Sequence, residues 1–398
     1  MKRKATGHYT SSIAGGETIR AFVPSPLPPD PALDLSGARQ TRLARATAAV
    51  GRLDSVSMLL PDPQRFLYTY VRREAVLSSQ IEGAQSSLSD LLLYELDEIP
   101  GVPMDDVVEV SNYVAALEHG MARMREGFPL TNRLLREMHT LLMDGARGDG
   151  KAPGQFRKTQ NWIGGTRPGN AHFVPPPPQE VEACMGALET FIHGEGTVAG
   201  GARSESDLPV LIRAALAHVQ FETIHPFLDG NGRLGRLLIA LLLHHGGLLD
   251  QPLLYLSLYF KQHRAVYYER LDAVRAKGDW EGWIDFFLEG AELTAQGAVA
   301  TAQRIGALFN ADNARTEAIG KGAPAALRLL AALRERPLSN LTQLGEHTGL
   351  SYPTVSKAMK ALIGIRIARE LTGKRRNRVF VYDQYLAILN EGGEPLSR

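Results

Sequence analysis

Helical spacing runs through most of this 398-residue sequence, and it constrains the fold more than any other feature. Apolar residues recur three and four positions apart over long stretches, while few stretches alternate in the way that strands do. A helix is predicted over 38–56, and another from about 64 to Gly83. Five apolar side chains predict a further, buried amphipathic helix: Trp280, Trp283, Ile284, Phe287 and Leu288. The sequence therefore predicts a mainly α-helical protein.

Two segments depart from the helical pattern. Residues 24–31 are rich in proline, which predicts an extended stretch without a core of its own. Residues 154–165 have the aromatic and glycine content of a short β-hairpin, and the prolines at 175–178 predict a stiff support for it. We therefore expect a small β-hairpin on an otherwise helical protein.

The composition is ordinary for a globular protein, but the net charge of the C-terminal part differs from that of the rest. Lys and Arg number 44 against 43 Asp and Glu, and the single cysteine, Cys184, cannot form an internal disulfide. The longest aliphatic run, 237–243, is far shorter than a membrane span, and no apolar stretch follows the basic residues at the start. We expect a soluble protein in the cytoplasm, with no membrane partner. Residues 321–398 carry a net charge of +7 against −6 for the remainder, as in an appended nucleic-acid-binding module.

The segment from 225 to 236 (HPFLDGNGRLGR) predicts a polyphosphate socket. It follows an apolar helix that Pro226 cannot continue. The Gly-Asn-Gly turn at 230–232 tolerates positive φ, so the backbone can point its N–H groups inward, and the next helix adds the positive end of its dipole. Arg233 and Arg236 are three apart, so both lie on one side of that helix.

Two further residues of this segment point to chemistry. Asp229 supplies a hard oxygen ligand for a Mg²⁺ ion that bridges phosphate oxygens, and His225 can accept a proton near neutral pH. Taken one at a time, such residues fit a glycine-rich helix connection with a capping aspartate and solvated arginines. Structure alone would not demand His, Asp, Asn and two Arg together in this order, so the complete set favours a functional site.

This segment resembles the signature motif of the Fic (filamentation induced by cAMP) proteins. The resemblance implies a helical Fic core and transfer of AMP from ATP to a Ser, Thr or Tyr hydroxyl of a target protein, with release of pyrophosphate. It implies that His225 is the general base, that Asp229 holds Mg²⁺ or Mn²⁺, and that Phe227 anchors the loop. The ATP phosphates would bind five residues: Gly230, Asn231, Gly232, Arg233 and Arg236.

The resemblance also separates this chain from a related class and locates its target-docking flap. Doc-type kinases carry lysine at the position of Gly232 and bind ATP in the reverse sense, so glycine favours nucleotidyl over phosphoryl transfer. The family's flap, which pairs with the target's backbone by strand addition, falls at 160–165. Its candidate contact residues are Asn161, Trp162 and Ile163, although Trp162 could equally pack on the core.

A second motif lies on the helix predicted to end at Gly83. Ser78 and Glu82 share a face of that helix, where the charge of Glu82 opposes the helix dipole. A solvated glutamate is the simpler interpretation of this residue alone. The run SSQIEG nevertheless resembles the family's inhibitory motif, in which the glutamate pairs with the second motif arginine, Arg236 here, and misplaces the ATP γ-phosphate. The resemblance implies a self-inhibited enzyme and leaves removal of AMP from the target open as a second activity.

The C-terminal residues resemble a winged helix-turn-helix domain. Helices are predicted over 325–333, 340–348 and 352–362, followed by a basic hairpin over 371–382. DNA contacts would come from the third helix and the hairpin tip: Thr354, Ser356, Lys357, Lys360, Lys374, Arg375, Arg376 and Arg378. A protein-docking domain with a solvated basic hairpin is the alternative.

Together these features predict three consecutive regions. Residues 1–105 form an N-terminal helical region that contains the inhibitory helix (about 64–83), 106–302 the Fic catalytic domain, and 303–398 a linker and winged helix-turn-helix. The leading hypothesis is a self-inhibited protein adenylyltransferase that acts on an unidentified target protein or on itself. The alternative is a nucleotide-sensing, DNA-binding transcriptional regulator, which would need the phosphate socket but not His225. The sequence also leaves open whether the protein forms a homodimer.

Overall fold

The computed structural model describes residues 6–59, 63–145, 150–194, 208–374 and 377–395, and helices predominate in them, as predicted. No helix in these ranges is long and apolar enough to cross a membrane. In chain order the elements are β1 (Gly7–Ala14), β2 (Glu17–Pro24), α1 (Ala38–Leu59), α2 (Pro63–Ile81), α3 (Leu88–Tyr94), α4 (Met104–Arg125), α5 (Asn132–Leu142), α6 (Pro178–His193), α7 (Val210–Ile224), α8 (Asn231–His245), α9 (Ser257–Gln262), α10 (Arg264–Lys277), α11 (Trp280–Glu317), α12 (Ala323–Glu335), β3 (Leu338–Asn340), α13 (Leu341–Thr348), α14 (Tyr352–Gly364), β4 (Ala368–Glu370), β5 (Val379–Tyr382) and α15 (Asp383–Asn390).

The chain divides into two compact units, each built from two separate segments. The first unit comprises Met1–Gly51 and Ser111–Ala295, and the second comprises Arg52–Val110 and Gln296–Arg398. The boundaries fall inside helices α1, α4 and α11. The three consecutive regions stay a prediction, and this division cuts the chain at different places.

Helices α7 and α8 form the centre of the first unit, where they pack directly against each other. Gly235 on α8 permits this approach, because a Cβ at that position would lie 2.9 Å from Glu222 Oε1 and 3.2 Å from Phe221 Cδ1 on α7. The indole N–H of Trp283 on α11 donates to the carbonyl of Ala215 at 2.9 Å. The approach at Gly235 brings the C-terminal end of α7 against the first turns of α8, between which the candidate site lies.

An antiparallel hairpin of β1 and β2 also belongs to the first unit, and the sequence analysis missed it. The turn is Gly15-Gly16, with φ of +57° and +80°, values that suit a tight two-residue connection. The inner residues of β2, Ala21 and Phe22, are fully buried, and the backbone N–H of Phe22 donates to the carbonyl of Val174 at 2.9 Å. The N-terminal region, which was predicted as helical, therefore begins with a β-hairpin. This hairpin contacts the chain just before the prolines at 175–178.

Helix α11 continues through the segment predicted as a linker. It runs from Trp280 to Glu317, so residues 303–317 are helical. Ala298, Ala302 and Ile305 are almost fully buried, which gives the helix a continuous apolar face past the expected boundary. The turn that precedes α12 comes only after Glu317.

In the second unit, α12, α13 and α14 pack together beside a three-stranded antiparallel sheet in the order β3-β5-β4. A capping box starts α13: the side chain of Asn340 accepts from the N–H of Gln343 at 2.9 Å, and Gln343 accepts from the N–H of Asn340. Gly349, with φ of +66°, ends that helix as predicted. This element order agrees with the expected helices and hairpin, and the winged-helix assignment itself stays a prediction.

Helix α2 packs in the second unit against α12 and α15. The hydroxyls of Thr69 and Tyr385 lie 3.0 Å apart. The guanidinium of Arg73 donates to the carbonyl of Glu391 at 2.7 Å, and Gln80 Nε2 donates to the carbonyl of Gly393 at 2.9 Å. The helix that ends beside Glu82 is therefore held by the last described residues of the chain.

Candidate active site

The loop between α7 and α8 begins with a sharp change of backbone direction. Helix α7 ends at Ile224, and His225 adopts a left-handed conformation with φ of +49°. Its N–H donates to the carbonyl of Phe221 at 2.9 Å, which completes the last turn. Pro226 cannot continue the helix because it lacks an N–H. The half-buried side chain of His225 is thus carried on a rigid helix end.

Asn231 closes the loop on itself. The N–H of Phe227 donates to Asn231 Oδ1 at 2.9 Å, and Asn231 Nδ2 donates to the carbonyl of Phe227, also at 2.9 Å. Asn231 is only 2% exposed, so water does not compete for these bonds. Its side chain therefore holds the loop, and only its backbone is available to bind phosphate.

The tolerance of positive φ across 230–232 is used at one position in the structure. Among these residues only Gly230 has positive φ, at +74°. Asn231 and Gly232 already belong to α8, whose first N–H groups have no acceptor within the helix. A Cβ at Gly230 would lie 2.9 Å from Met143 Sδ, which a flexible methionine side chain can relieve, so the left-handed backbone is the main reason for glycine here.

Arg233 and Arg236 lie in the first turns of α8, and both are buried, with 7% and 4% of their surface exposed. Arg233 Nη2 lies 3.9 Å from Asp229 Oδ1 and 3.8 Å from Met143 Sδ. Two buried cations at the positive end of a helix dipole favour a multiply charged anion. This part of the loop has the charge and the donors that a polyphosphate needs.

Asp229 has the chemistry of a partial Mg²⁺ ligand. Its carboxylate is 47% exposed, and its Oδ1 accepts the N–H of Gly230 at 2.7 Å. Within the described ranges no group of three or more His, Cys, Asp or Glu side chains could hold a metal by itself. One exposed carboxylate fits an ion that keeps waters and phosphate oxygens as its other ligands, the usual arrangement for Mg²⁺ in nucleotide sites.

The flap segment is attached to the loop by Arg157, a residue that the sequence analysis missed. Its Nε donates to the carbonyl of His225 at 2.9 Å, and its Nη2 donates to those of Ile224 and Pro176. Its backbone N–H donates to the carbonyl of Pro226 at 2.9 Å. Burial lowers the pKa of Arg157 to about 10, so the cation persists at neutral pH and satisfies carbonyls at the negative end of α7.

The flap itself is smaller than the predicted hairpin. Ile163 and Phe173 form a single antiparallel bridge, with the N–H of Ile163 donating to the carbonyl of Phe173 at 2.8 Å. The prolines from 175 onward lack the N–H groups that would extend a ladder. Asn161 Nδ2 donates to the carbonyls of Phe227 and Leu228, both at 3.3 Å, and Trp162 is 37% exposed. The flap residues thus lie beside the loop, with the Trp162 ring outside the core.

Phe227 and His139 form a stacked pair beneath the loop. Phe227 is fully buried, and its ring lies 3.8 Å from that of His139 at an angle of 9°. The imidazole of His139 also contacts the backbone of Gly154 and Asp229. Sequence reasoning missed His139, because one histidine on an amphipathic helix gives no signal of its own.

The residues of the inhibitory motif belong to the second unit, and the loop belongs to the first. Ser78 on α2 is fully buried. Glu82 follows the last residue of α2, its N–H donates to the carbonyl of Ser79 at 3.1 Å, and Gly83 has φ of +104°. Gly83 therefore terminates this helix as expected, and the pairing of Glu82 with Arg236 stays a prediction.

The candidate DNA-binding residues divide into three groups. Lys357 and Lys360 are exposed on α14, where Thr354 and Ser356 are partly buried. Lys374 pairs with Glu98 at 2.5 Å, and Arg378 lies 3.9 Å from Glu370. The remaining two candidates, Arg375 and Arg376, lie outside the described residues.

Comparison with known protein families shows which family this part of the chain matches. The family described as Fic/DOC matches residues 129–243, and the Fic/DOC family N-terminal region matches residues 40–122. The chain carries a Fic domain. The Fic match includes α5 to α7, the whole loop and all but the last two residues of α8, and the N-terminal match includes α2 and Glu82. The resemblance seen in the sequence is confirmed.

Curated relatives of the Fic domain are named protein adenylyltransferase Fic. The relative from Culex quinquefasciatus is 31% identical over 219 residues, which is 54% of this chain and 39% of the relative. The relative from Drosophila grimshawi is 30% identical over 196 residues, 49% of this chain and 36% of the relative. The chain thus matches less than two fifths of the length of these proteins.

Solved structures of Fic proteins share the fold. A Fic family protein from Desulfovibrio desulfuricans G20 gives a TM-score of 0.57 at 19% identity, covering 88% of this chain and 97% of that one. Fic-1 (residues 134–508) from C. elegans gives 0.52 at 22% identity, covering 67% and 73%. These likenesses confirm the helical Fic fold predicted from the sequence.

Proposed function

We propose that this protein is an adenylyltransferase that moves AMP from ATP to a hydroxyl group of a target protein. One observation carries the proposal: the closed loop between α7 and α8 combines His225 with a helix N-terminus and two buried arginines. The names of the curated relatives support the same activity. Gly232 supports nucleotidyl rather than phosphoryl transfer, which disfavours a Doc-like kinase.

The reaction follows from the chemistry of the loop. The target hydroxyl oxygen attacks the α-phosphorus of ATP, its proton passes to the imidazole of His225, and the bond from the α-phosphorus to the bridging oxygen breaks, releasing pyrophosphate. Arg233, Arg236 and the first N–H groups of α8 hold the distal phosphates and stabilise the charge on the leaving group. Asp229 would hold Mg²⁺, which would supply further charge neutralisation on the phosphate oxygens.

We also propose that Glu82 inhibits this reaction by pairing with Arg236. The support is the sequence SSQIEG, the fully buried Ser78 and the match of the Fic N-terminal region over 40–122. The negative charge of a glutamate at the C-terminal end of a helix is unfavourable because of the helix dipole. A nearby cation should compensate this charge. Removal of AMP from the modified target is a second activity that the same glutamate could serve.

The test is transfer of label from α-labelled ATP with Mg²⁺ to protein, in lysate and with the purified protein alone. We expect weak labelling by the wild type, strong labelling by Glu82→Gly, and labelling lower by about 100-fold or more when His225→Ala is added. Labelling by the purified protein alone would identify self-modification. Label transferred from γ-labelled ATP instead would mean a kinase.

If Glu82→Gly transfers no label with either Mg²⁺ or Mn²⁺, the nucleotide-sensing transcriptional regulator becomes the better hypothesis. Nucleotide binding by calorimetry then separates a sensor from an inert protein. The comparisons favour the enzyme, because the relatives are named for catalysis.

We propose that the C-terminal part is a winged helix that binds DNA through α14. Lys357 and Lys360 are exposed on that helix, and the region is basic. Anisotropy of labelled duplex DNA should show binding that weakens steeply with salt and is reduced by Lys357→Glu with Lys360→Glu. Binding unaffected by these charges would favour a protein-docking role instead.

A cytoplasmic location and a homodimer are further proposals, to be tested by fractionation and light scattering.

A further inference from the structure

His139, on α5, contacts both the flap segment and the phosphate loop in the first unit. The N–H of Gly154 donates to His139 Nδ1 at 2.9 Å, and His139 Nε2 lies 3.1 Å from the carbonyl oxygen of Asp229. The ring also stacks on Phe227 at 3.8 Å. One fully buried side chain therefore bonds both the segment that leads into the flap and the loop that carries His225 and Asp229.

The two hydrogen bonds determine the state of the ring. A backbone N–H can only donate, so Nδ1 must be an unprotonated acceptor. A carbonyl oxygen can only accept, so Nε2 must carry the hydrogen. His139 is thus a neutral imidazole in one tautomer, with each nitrogen committed to a backbone group.

The consequence for the loop lies in the peptide between Asp229 and Gly230. Its carbonyl accepts from His139, and its N–H donates to the carboxylate of Asp229 itself. Fixing this peptide plane fixes the orientation of the carboxylate. Arg233 and Arg236 depend on this peptide less, because both are buried on α8 and Arg233 Nη2 lies as far as 3.9 Å from Asp229 Oδ1.

We propose that His139 is a positioning residue for adenylyl transfer, setting the peptide at 229–230 so that Asp229 and His225 address the same α-phosphorus. This inference rests on the proposed function. Loss of the positioning should lower kcat much more than it weakens ATP binding, because the distal phosphates keep their arginines. A displacement of about 1 Å costs on the order of 100-fold in rate.

The test uses the full chain carrying Glu82→Gly as the active background. His139→Phe keeps the stacked ring and the volume but removes both nitrogens, and His139→Gln restores an amide donor near the position of Nε2. His218→Phe is the matched control. His218 is also fully buried and bonded at both nitrogens, to the carbonyl of Gly235 and the hydroxyl of Tyr267, away from the peptide at 229–230.

We expect His139→Phe to lower kcat by about 100-fold with KM for ATP changed less than about threefold. His139→Gln should recover at least about a tenth of the lost rate, and His218→Phe should keep kcat within about threefold. Equal losses of kcat in His139→Phe and His218→Phe would overturn the proposal, since both would then reflect stability alone. A His139→Gln variant no faster than His139→Phe would overturn it as well.

A second readout does not depend on catalysis. Hydrogen exchange of the Gly154 amide and of the peptide covering 225–232 should accelerate by about tenfold or more in His139→Phe and stay unchanged in His218→Phe. Unchanged exchange in His139→Phe contradicts the positioning role whatever the activity. Faster exchange in a protein that never transfers AMP would uphold the role of His139 in the loop and refute the proposed function.

Discussion

Some side chains in and around the loop have structural roles that the sequence motif does not predict. Asn231 stands between two glycines and suggests a phosphate ligand, yet its amide bonds both backbone groups of Phe227. Arg157 lies far from the motif in sequence and nevertheless satisfies the carbonyls at the end of α7. The side chains that shape the loop thus include Asn231, which the motif suggests for ATP, and Arg157, which lies outside the motif.

Asn231→Ala leaves the N–H and the carbonyl of Phe227 without their partner. Each unsatisfied buried group costs about 1–3 kcal/mol, so for two groups we expect a loss of about 2–6 kcal/mol in the free energy of unfolding, measured by urea denaturation. Asn112→Ala is the control, because its amide bond to the carbonyl of Asp144 is exposed. It should lose less than about 1 kcal/mol, and equal losses would contradict the buried role of Asn231.

Arg157→Lys keeps a positive charge but loses the planar fork that reaches several carbonyls. We expect a destabilisation of about 1–3 kcal/mol and a lower rate of AMP transfer, since the end of α7 carries His225. Arg133→Lys is the matched change, at a side chain 74% exposed that pairs with Glu137, and it should alter stability by less than about 0.5 kcal/mol. Thermal denaturation and label transfer measure the two effects.

At the scale of elements, local signals located most helices, and long-range packing explains what they missed. Thr131 caps α5 and Gly349 ends α13, as their side chains or conformations dictate locally. The β1–β2 hairpin was missed because its main signal, Gly15-Gly16, is short, and the helical character of 303–317 was missed because burial extends α11. The loop between α7 and α8 could be recognised in the sequence because its residues are contiguous, whereas His139 and Arg157 reach it only through the fold.

Two tyrosine hydroxyls join elements of the second unit, one by a hydrogen bond to a carboxylate and the other by a hydrogen bond to a hydroxyl. The hydroxyl of Tyr382 on β5 donates to Asp312 on α11 at 2.7 Å, a carboxylate with only 2% of its side chain exposed. The hydroxyl of Tyr385 meets that of Thr69 instead. Tyr382→Phe should therefore cost about 2–3 kcal/mol and Tyr385→Phe about 1 kcal/mol in urea denaturation. The reverse order would show that the carboxylate bond contributes little.

At the scale of the whole molecule, a buried histidine makes stability depend on pH. Burial lowers the pKa of His218 from 6.5 to about 3, and Arg236 and Arg275 act in the same direction. Between these values the unfolded chain binds a proton that the folded protein rejects, so the free energy of unfolding falls as pH drops below 6.5. The slope reaches at most about 1.4 kcal/mol per pH unit from this group.

His218→Phe removes this contribution. We expect the variant to be less stable at pH 7, because it loses the bonds to Gly235 and Tyr267, but to lose stability more slowly than the wild type between pH 6.5 and 4.5. Denaturation midpoints across that window measure the difference. Parallel curves would show that His218 does not carry the proton linkage.

The packing of α2 against α12 and α15 has a practical consequence for how this protein can be studied. A fragment that ends after the Fic domain loses Tyr385, Glu391 and Gly393, which bond to α2. In such a fragment the segment bearing Glu82 would keep its sequence but lack its scaffold. High activity of the fragment would then reflect the lost support of α2, so the proposed inhibition by Glu82 should be tested with point substitutions in the intact chain.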